Sequence, residues 1–263
     1  MQERMILRLA VVLFLFVAIR ALAADIPATA TIAAAADLKF ALAEVAQAFE
    51  KETGRQLRIS YGSSGNFTQQ IEQGAPFELF LSADENYIFH LADKGLTADR
   101  GMLYAVGRVV LFAPHGSTLK ADAQLADLKA ALADGRLKRF AIANPDHAPY
   151  GRAARAALQH AGLWEVIQPK LVLGENAGQA TQFAAAGSSQ GGIVPLSLSK
   201  APEIAQLGSF APIPAEWHAA EPLRQRMALT KKAGETAQTF YAYVQQPAAR
   251  AIFARYGFVR PGE

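Results

Sequence analysis

The 263-residue sequence contains no cysteine. That absence excludes disulfide bonds, thiolate metal sites and a lipid anchor on an N-terminal cysteine. Charge is sparse, at 19% of residues against 51% apolar, a balance that supports large cores and argues against disorder. Histidine is scarce as well: the five are dispersed and form no H-E-x-x-H, so no metal ligand set is expected. No G-x-x-x-x-G-K-[ST] occurs, so any ATP hydrolysis belongs to another protein. No basic stripe with interleaved aromatics points to nucleic acid. Beyond the first 23 residues there is no long apolar run, and no repeat or low-complexity segment.

The first residues are distinctive. Arg4 and Arg8 precede an apolar run from Leu9 to Ile19, followed by Ala21-Leu22-Ala23. A basic start, an apolar stretch too short to span a bilayer and an A-x-A site predict a signal peptide over 1–23, cleaved near Ala23. Its loss removes three arginines and one glutamate, so the formal charge of +3 falls by two, to +1. The expected mature protein is exported, nearly neutral and free in the periplasm.

From Thr31 onward, short apolar runs alternate with amphipathic helical ones. Leu38, Leu42, Val45 and Phe49 recur at helical spacing and stop at Gly54. QLRISY alternates as a strand does. FELFLSA, RVVLFAP, RFAIAN, LVLGEN and GGIVPLSLS read as further strands with helices between them; the Pro-rich FAPIPAEW interrupts the rhythm before LRQRMALT, and two helices close the chain, broken at Pro247. The alternation predicts an α/β fold with parallel sheets covered by helices on both faces. Exposed connections near Gly107 to Pro114 and Phe210 to Trp217 predict two lobes: lobe I from 24–107 and 216–263, and lobe II from 108–215. A single larger sheet is the alternative. Two lobes would leave a cleft at the carboxyl ends of the strands.

Four strand-to-helix junctions share one chemistry: AAAADLK, YGSSGNF, NPDHAPYGR and GENAGQA. Each consists of small residues, Gly, Asn or Pro, without Lys or Arg before its helix begins. A helix N-terminus offers unpaired N–H groups and a partial positive charge, and small residues let a ligand approach that backbone. Such a junction can bind an anion without formal charge of its own, although many turns of this kind bind nothing.

These residues carry a resemblance. From Ile32 to Phe258 the chain resembles the periplasmic molybdate-binding proteins, the capture components of ATP-driven oxyanion importers. AAAADLKFAL, GSSGNFTQQIEQGAPFELFLSADE, NPDHAPYGRAA, LVLGENAGQA, GGIVPLSLS and IFARYGF are its most specific parts. The resemblance implies a type II periplasmic binding protein fold that takes molybdate or tungstate between its lobes and docks, as a monomer, on a membrane permease. It implies no cofactor and no protein ligand directly on the metal.

It also implies binding positions at Ala36 and Asp37, Ser64, Tyr150 and Ala177, with Ser63 and Asn176 in support. Ser64 would give hydroxyl and N–H; Tyr150 and Ala177 would give N–H. Two positions depart from the family pattern. Ala36 lacks the hydroxyl that relatives offer there, and Asp37 puts a carboxylate beside a dianion. The expectation is that Asp37 turns back to cap its own helix; acceptance of a proton from a protonated oxyanion is the alternative. Pro195 stands where some relatives have a Tyr, and the Tyr150 hydroxyl is expected to compensate.

Other residues have plainer expectations. Asp84 is read as a helix cap, with a place lining the cleft as the alternative, Arg152 as a surface or interlobe salt bridge, His147 as a turn stabiliser, and Trp164 and Trp217 as packing. GSSGN is not a G-x-S-x-G nucleophile elbow, and a hydrolase built on Ser64 would need His147 in contact with it. Binding proteins for sulfate, thiosulfate or phosphate remain the nearer alternative.

Overall fold

The computed structural model describes residues 29–260 and residue 262. The expected signal peptide, 1–23, lies outside the described residues. In chain order the elements are β1 (Thr29–Ala35), a 3-10 turn (Ala36–Leu38), α1 (Lys39–Thr53), β2 (Gln56–Gly62), α2 (Ser64–Glu72), β3 (Leu79–Ser82), α3 (Glu85–Asp93) and β4 (Met102–Val106). Then follow β5 (Val109–Pro114), α4 (Ala126–Ala133), β6 (Phe140–Ala143), α5 (Pro149–His160), α6 (Trp164–Ile167), β7 (Leu171–Gly174) and α7 (Ala177–Ala185). The chain ends with β8 (Gly192–Pro195), α8 (Leu196–Ser199), α9 (Pro202–Ala205), β9 (Gly208–Pro212), a 3-10 turn (Ala215–His218), β10 (Arg224–Leu229), α10 (Glu235–Val244) and α11 (Pro247–Arg255).

The strands make two five-stranded sheets, ordered β2-β1-β3-β10-β4 and β7-β6-β8-β5-β9. β1 pairs in parallel with β2 and β3, and β6 in parallel with β7 and β8. The wholly parallel sheets expected from the alternation are corrected: β10 runs antiparallel to β3 and β4, and β5 antiparallel to β8 and β9. β5 and β10 are the strands entered when the chain passes from one sheet to the other, with no α-helix intervening. A strand entered from the side where its neighbours end must run against them.

Two further corrections concern the connections. Gly107 to Pro114 is not an exposed link, because Val109 to Ala113 form the buried part of β5 and only Gly107 and Arg108 separate it from β4. The stretch from Phe210 also begins inside a strand: Phe210 of β9 pairs with Phe112. The second passage therefore runs over 213–223.

The cores follow from the patterning. Leu38, Leu42, Val45 and Phe49 are fully buried beneath the first sheet, where Phe49 meets Phe240 and Tyr243 edge-on. α1 stops where Gly54 takes φ +70°, a conformation costly for side chains other than glycine. Among the described residues, no helix is long and apolar enough to cross a membrane.

Candidate functional site

The carboxyl ends of β1 and β2 from one sheet, and of β6 and β7 from the other, lead into the four junctions singled out above. They converge. One small pocket, with about 190 Å³ of space between atoms, is lined by Ala36, Asp37, Ser64, Ala83, Tyr150 and Ala177, with Ser63 beside them. No Lys, Arg or His lines it. All five expected binding positions are thus brought together, although 141 positions separate Ala36 from Ala177. Of the two supporting residues, Ser63 lines the pocket; Asn176 stands one position before Ala177.

Three of the junctions leave N–H groups at a helix start without an intrahelical acceptor. Ser63 caps α2 by accepting from the Asn66 N–H at 3.3 Å, and Asn176 caps α7 by accepting from Gln179 at 3.0 Å. These caps serve the third helical residue, so the first-position N–H groups of Ser64 and Ala177 keep no intrahelical acceptor. α5 starts with Pro149 and has no side-chain cap, which leaves Tyr150 in the same condition at its second position. The Ser64 hydroxyl accepts from the Ala83 N–H at 3.0 Å, which orients it and leaves its proton available to a ligand.

The Asp37 carboxylate overturns the capping expectation. Neither the Ala36–Leu38 turn nor α1 has a side-chain cap. Asp37, 1% exposed, instead receives on Oδ2 the Tyr150 hydroxyl at 2.9 Å and the Gln225 amide at 2.6 Å. Its Oδ1 is buried without a partner. Burial pushes the carboxyl up to about 6, against the lowering effect of those two hydrogen bonds and of a third from its own backbone N–H. The Tyr150 hydroxyl is taken up by Asp37, so the expected compensation for Pro195 is corrected, and Tyr150 has its N–H left for a ligand.

Gln225 and Tyr104 were missed by sequence reasoning. Tyr104 donates to Gln225 Oε1 at 2.9 Å, which fixes the amide with its nitrogen toward Asp37 and Tyr150. A signal existed in LRQRMALT: Gln225 occupies the same alternating face as Met227, and both are fully buried. A polar side chain at a core position needs partners.

The rim is held by contacts between the two halves. The Gly65 N–H donates to the His147 carbonyl at 3.0 Å, and a side chain at Gly65 would meet that oxygen at 2.6 Å. His147 Nδ1 lies 3.0 Å from the Ser63 hydroxyl; it therefore meets Ser63, not Ser64, and bridges the cleft beyond stabilising its own turn. Asn66 donates to Glu175 at 2.5 Å, and the Ser197 hydroxyl to the Asp37 carbonyl at 2.8 Å. Arg152 pairs with Asp84, bonds the Tyr87 hydroxyl at 3.0 Å and pairs with Glu221 at 2.9 Å. Asp84 also caps α3 through Asn86. Trp217 stacks on His160 with ring centroids 4.7 Å apart, and Trp164 packs against the core.

The bacterial extracellular solute-binding protein family matches residues 30–259. The molybdate-binding protein ModA of Azotobacter vinelandii is 36% identical over 230 residues, covering 86% of this chain and 88% of that protein. The molybdate-binding protein ModA of Escherichia coli is 34% identical, over 87% and 88%. The solved structure of the Azotobacter vinelandii periplasmic molybdate-binding protein superposes with a TM-score of 0.80 at 32% identity, covering 88% of this chain and 99% of that one. The chain therefore belongs to the bacterial extracellular solute-binding proteins of type II fold, alongside the molybdate-binding members of that family.

Proposed function

We propose that this protein captures molybdate, and also tungstate, in the periplasm and delivers it to the membrane permease of an ATP-driven importer. Ala36, Asp37, Ser64, Tyr150 and Ala177 are its binding residues. The observation that carries the reading is the pocket where N–H groups from both halves meet without a cation among its lining residues.

Molybdate and tungstate at neutral pH are acceptor-only dianions, which call for donors. Peptide N–H groups at helix starts supply them with a favourable field. Charge-assisted hydrogen bonds contribute about 1.5–3 kcal/mol each. Several of them, less the costs of desolvation and closure, give about −8 to −12 kcal/mol, or micromolar to nanomolar affinity. Sulfate is also acceptor-only but smaller, and a rigid pocket sized for longer metal–oxygen bonds disfavours it through lost contact.

The lobes of this reading are the two sheets with their helices, joined by Gly107–Arg108 and by 213–223. They would open and close as rigid bodies, with the oxyanion favouring the closed form because it touches both. Export by the signal peptide, a monomeric state and the lack of catalytic activity belong to the same proposal. It is tested by thermal shift and calorimetry with molybdate, tungstate, sulfate and phosphate at neutral pH. Molybdate and tungstate should stabilise strongly and sulfate weakly. Stabilisation by phosphate alone, or by none of the four, overturns the reading.

A further inference from the structure

Asp37 is an unusual wall for an anion pocket. Asp37 lines the pocket, is 1% exposed, and has no cation beside it among the lining residues. The charged and titratable groups on the elements packed around it can be named. α1 brings Lys39 and Glu44, of which Lys39 is exposed over the Phe40 ring and Glu44 pairs with Arg255. β2 brings Tyr61; α7 and α8 bring none. α5 brings Tyr150 and Arg152, the latter paired with Asp84 and Glu221. β10 brings Arg224 and Arg226, both paired with Glu85. β4 brings Tyr104, which donates to Gln225. Tyr104 and Tyr150 are held neutral, both pushed well above the usual phenol range by burial.

The hydrogen bonds around Asp37 are also one-sided. Tyr104 orients Gln225, Gln225 donates to Oδ2 and to the Tyr150 hydroxyl, and Tyr150 donates to Oδ2. The two donors that reach the carboxyl, Tyr150 and Gln225, both serve Oδ2, while Oδ1 has no side-chain partner. A carboxylate so placed would meet a dianion across a low-dielectric gap, with a strong repulsion. A carboxylic acid with its proton on Oδ1 reverses the sign of the contact: Oδ2 keeps its two donors, and Oδ1 becomes a donor itself.

We propose that Asp37 binds the oxyanion in its protonated form, donating from Oδ1, so that each captured dianion takes up one proton from solvent. The balance is Asp37 carboxylate plus proton plus dianion giving the acid hydrogen-bonded to the dianion; no other bond forms or breaks. This inference rests on the acceptor-only ligand proposed above and deepens it. It makes Asp37 a specificity residue: a ligand that still carries its own proton would compete for the same position with the roles reversed. The raised carboxyl value, about 6 before any ligand is present, makes the uptake accessible near neutral pH.

The sign of the linkage is fixed. A group protonated in the complex and ionised in the free protein favours binding at low pH, and the benefit is lost as pH rises. The test is calorimetry with sodium molybdate from about pH 6.5 to about 8.5, in pairs of buffers with different ionisation enthalpies. Uptake should approach one proton per ligand at the upper end, with Kd rising about tenfold per pH unit there. Asp37→Asn carries a fixed donor in place of the acid, and should show no uptake, a flat Kd and tighter binding than wild type by about tenfold or more at the highest pH.

Wild-type binding of molybdate with a flat Kd and no uptake overturns the inference while leaving the proposed function intact, and needs no variant to fold. Absence of molybdate binding at every pH removes the function and the inference together. Tight binding of inorganic phosphate without uptake, lost in Asp37→Asn, overturns the inference by placing the proton on the ligand.

Discussion

The floor of the cleft and its rim are made of opposite materials. The floor has backbone N–H groups, one serine hydroxyl and a buried acid, with no cation. The rim, a few residues away, holds paired charges: Arg152 with Asp84 and Glu221, and Glu85 with Arg224 and Arg226. The contrast shows two separate tasks. Fixed dipoles at the floor need no rearrangement to receive an anion, and they reject nothing by charge except through Asp37. Rim charges neutralise one another, Arg152 with Asp84 across the halves and Glu85 with Arg224 and Arg226 within one of them, so they should bear on closure and exchange rather than on what is bound.

The sharpest way to break this division is at the rim, by steric means. Gly65→Val places side-chain atoms against the His147 carbonyl, where even a Cβ would lie 2.6 Å away. Closure should suffer by about 3 kcal/mol, an affinity loss on the order of 100-fold by calorimetry, with little change in ligand-free stability. Unchanged affinity would mean that the closed contact is not needed for binding.

Asp37 sharpens the comparison in the ligand-free protein. Its folded value of about 6 exceeds the ordinary 3.8, so its stabilising contribution is complete below pH 3.8 and is lost as pH rises through 6. Asp37→Asn should therefore raise stability above pH 6 by about 3 kcal/mol and flatten the loss between those values, as read by urea unfolding across pH. A wild-type protein with no such loss would contradict the burial argument.

At the floor, Ser64→Ala removes a donor to the ligand and should cost on the order of 1–3 kcal/mol of affinity. A negligible change would remove Ser64 from the binding set. The smallest effect is expected for Arg152→Gln, about 1 kcal/mol, seen as faster ligand release in stopped-flow measurements and reduced by salt. If Arg152→Gln weakens binding more than Ser64→Ala, the floor and the rim have exchanged their roles.

Much of the α/β rhythm was legible because helix and strand periods are local. α1 announces itself by four apolar residues and a stopping glycine, and the four junctions by their small residues. β4 was not legible. Met102–Val106 is half-exposed at a sheet edge, and its pairing partner lies more than a hundred residues on in β10. β9 was hidden by Pro212 at its end and Pro214 just beyond it, which an edge strand tolerates because one side of its backbone needs no donor. Asp37 shows the same limit within the site. The sequence displays an acid before a helix, for which capping is the local solution, but the partners that draw it elsewhere are Tyr150 and Gln225, 113 and 188 positions away.

Gly107 has a second identity besides linking β4 to β5. A methyl group there would sit 2.3 Å from the Tyr150 hydroxyl and 3.0 Å from the Gln225 amide. The pivot on which one half would swing is thus pressed against the acid's own hydrogen-bond donors. Any substitution that stiffens or bends that pivot would disturb the proton on Asp37 as well, so mobility and acidity in this molecule cannot drift independently.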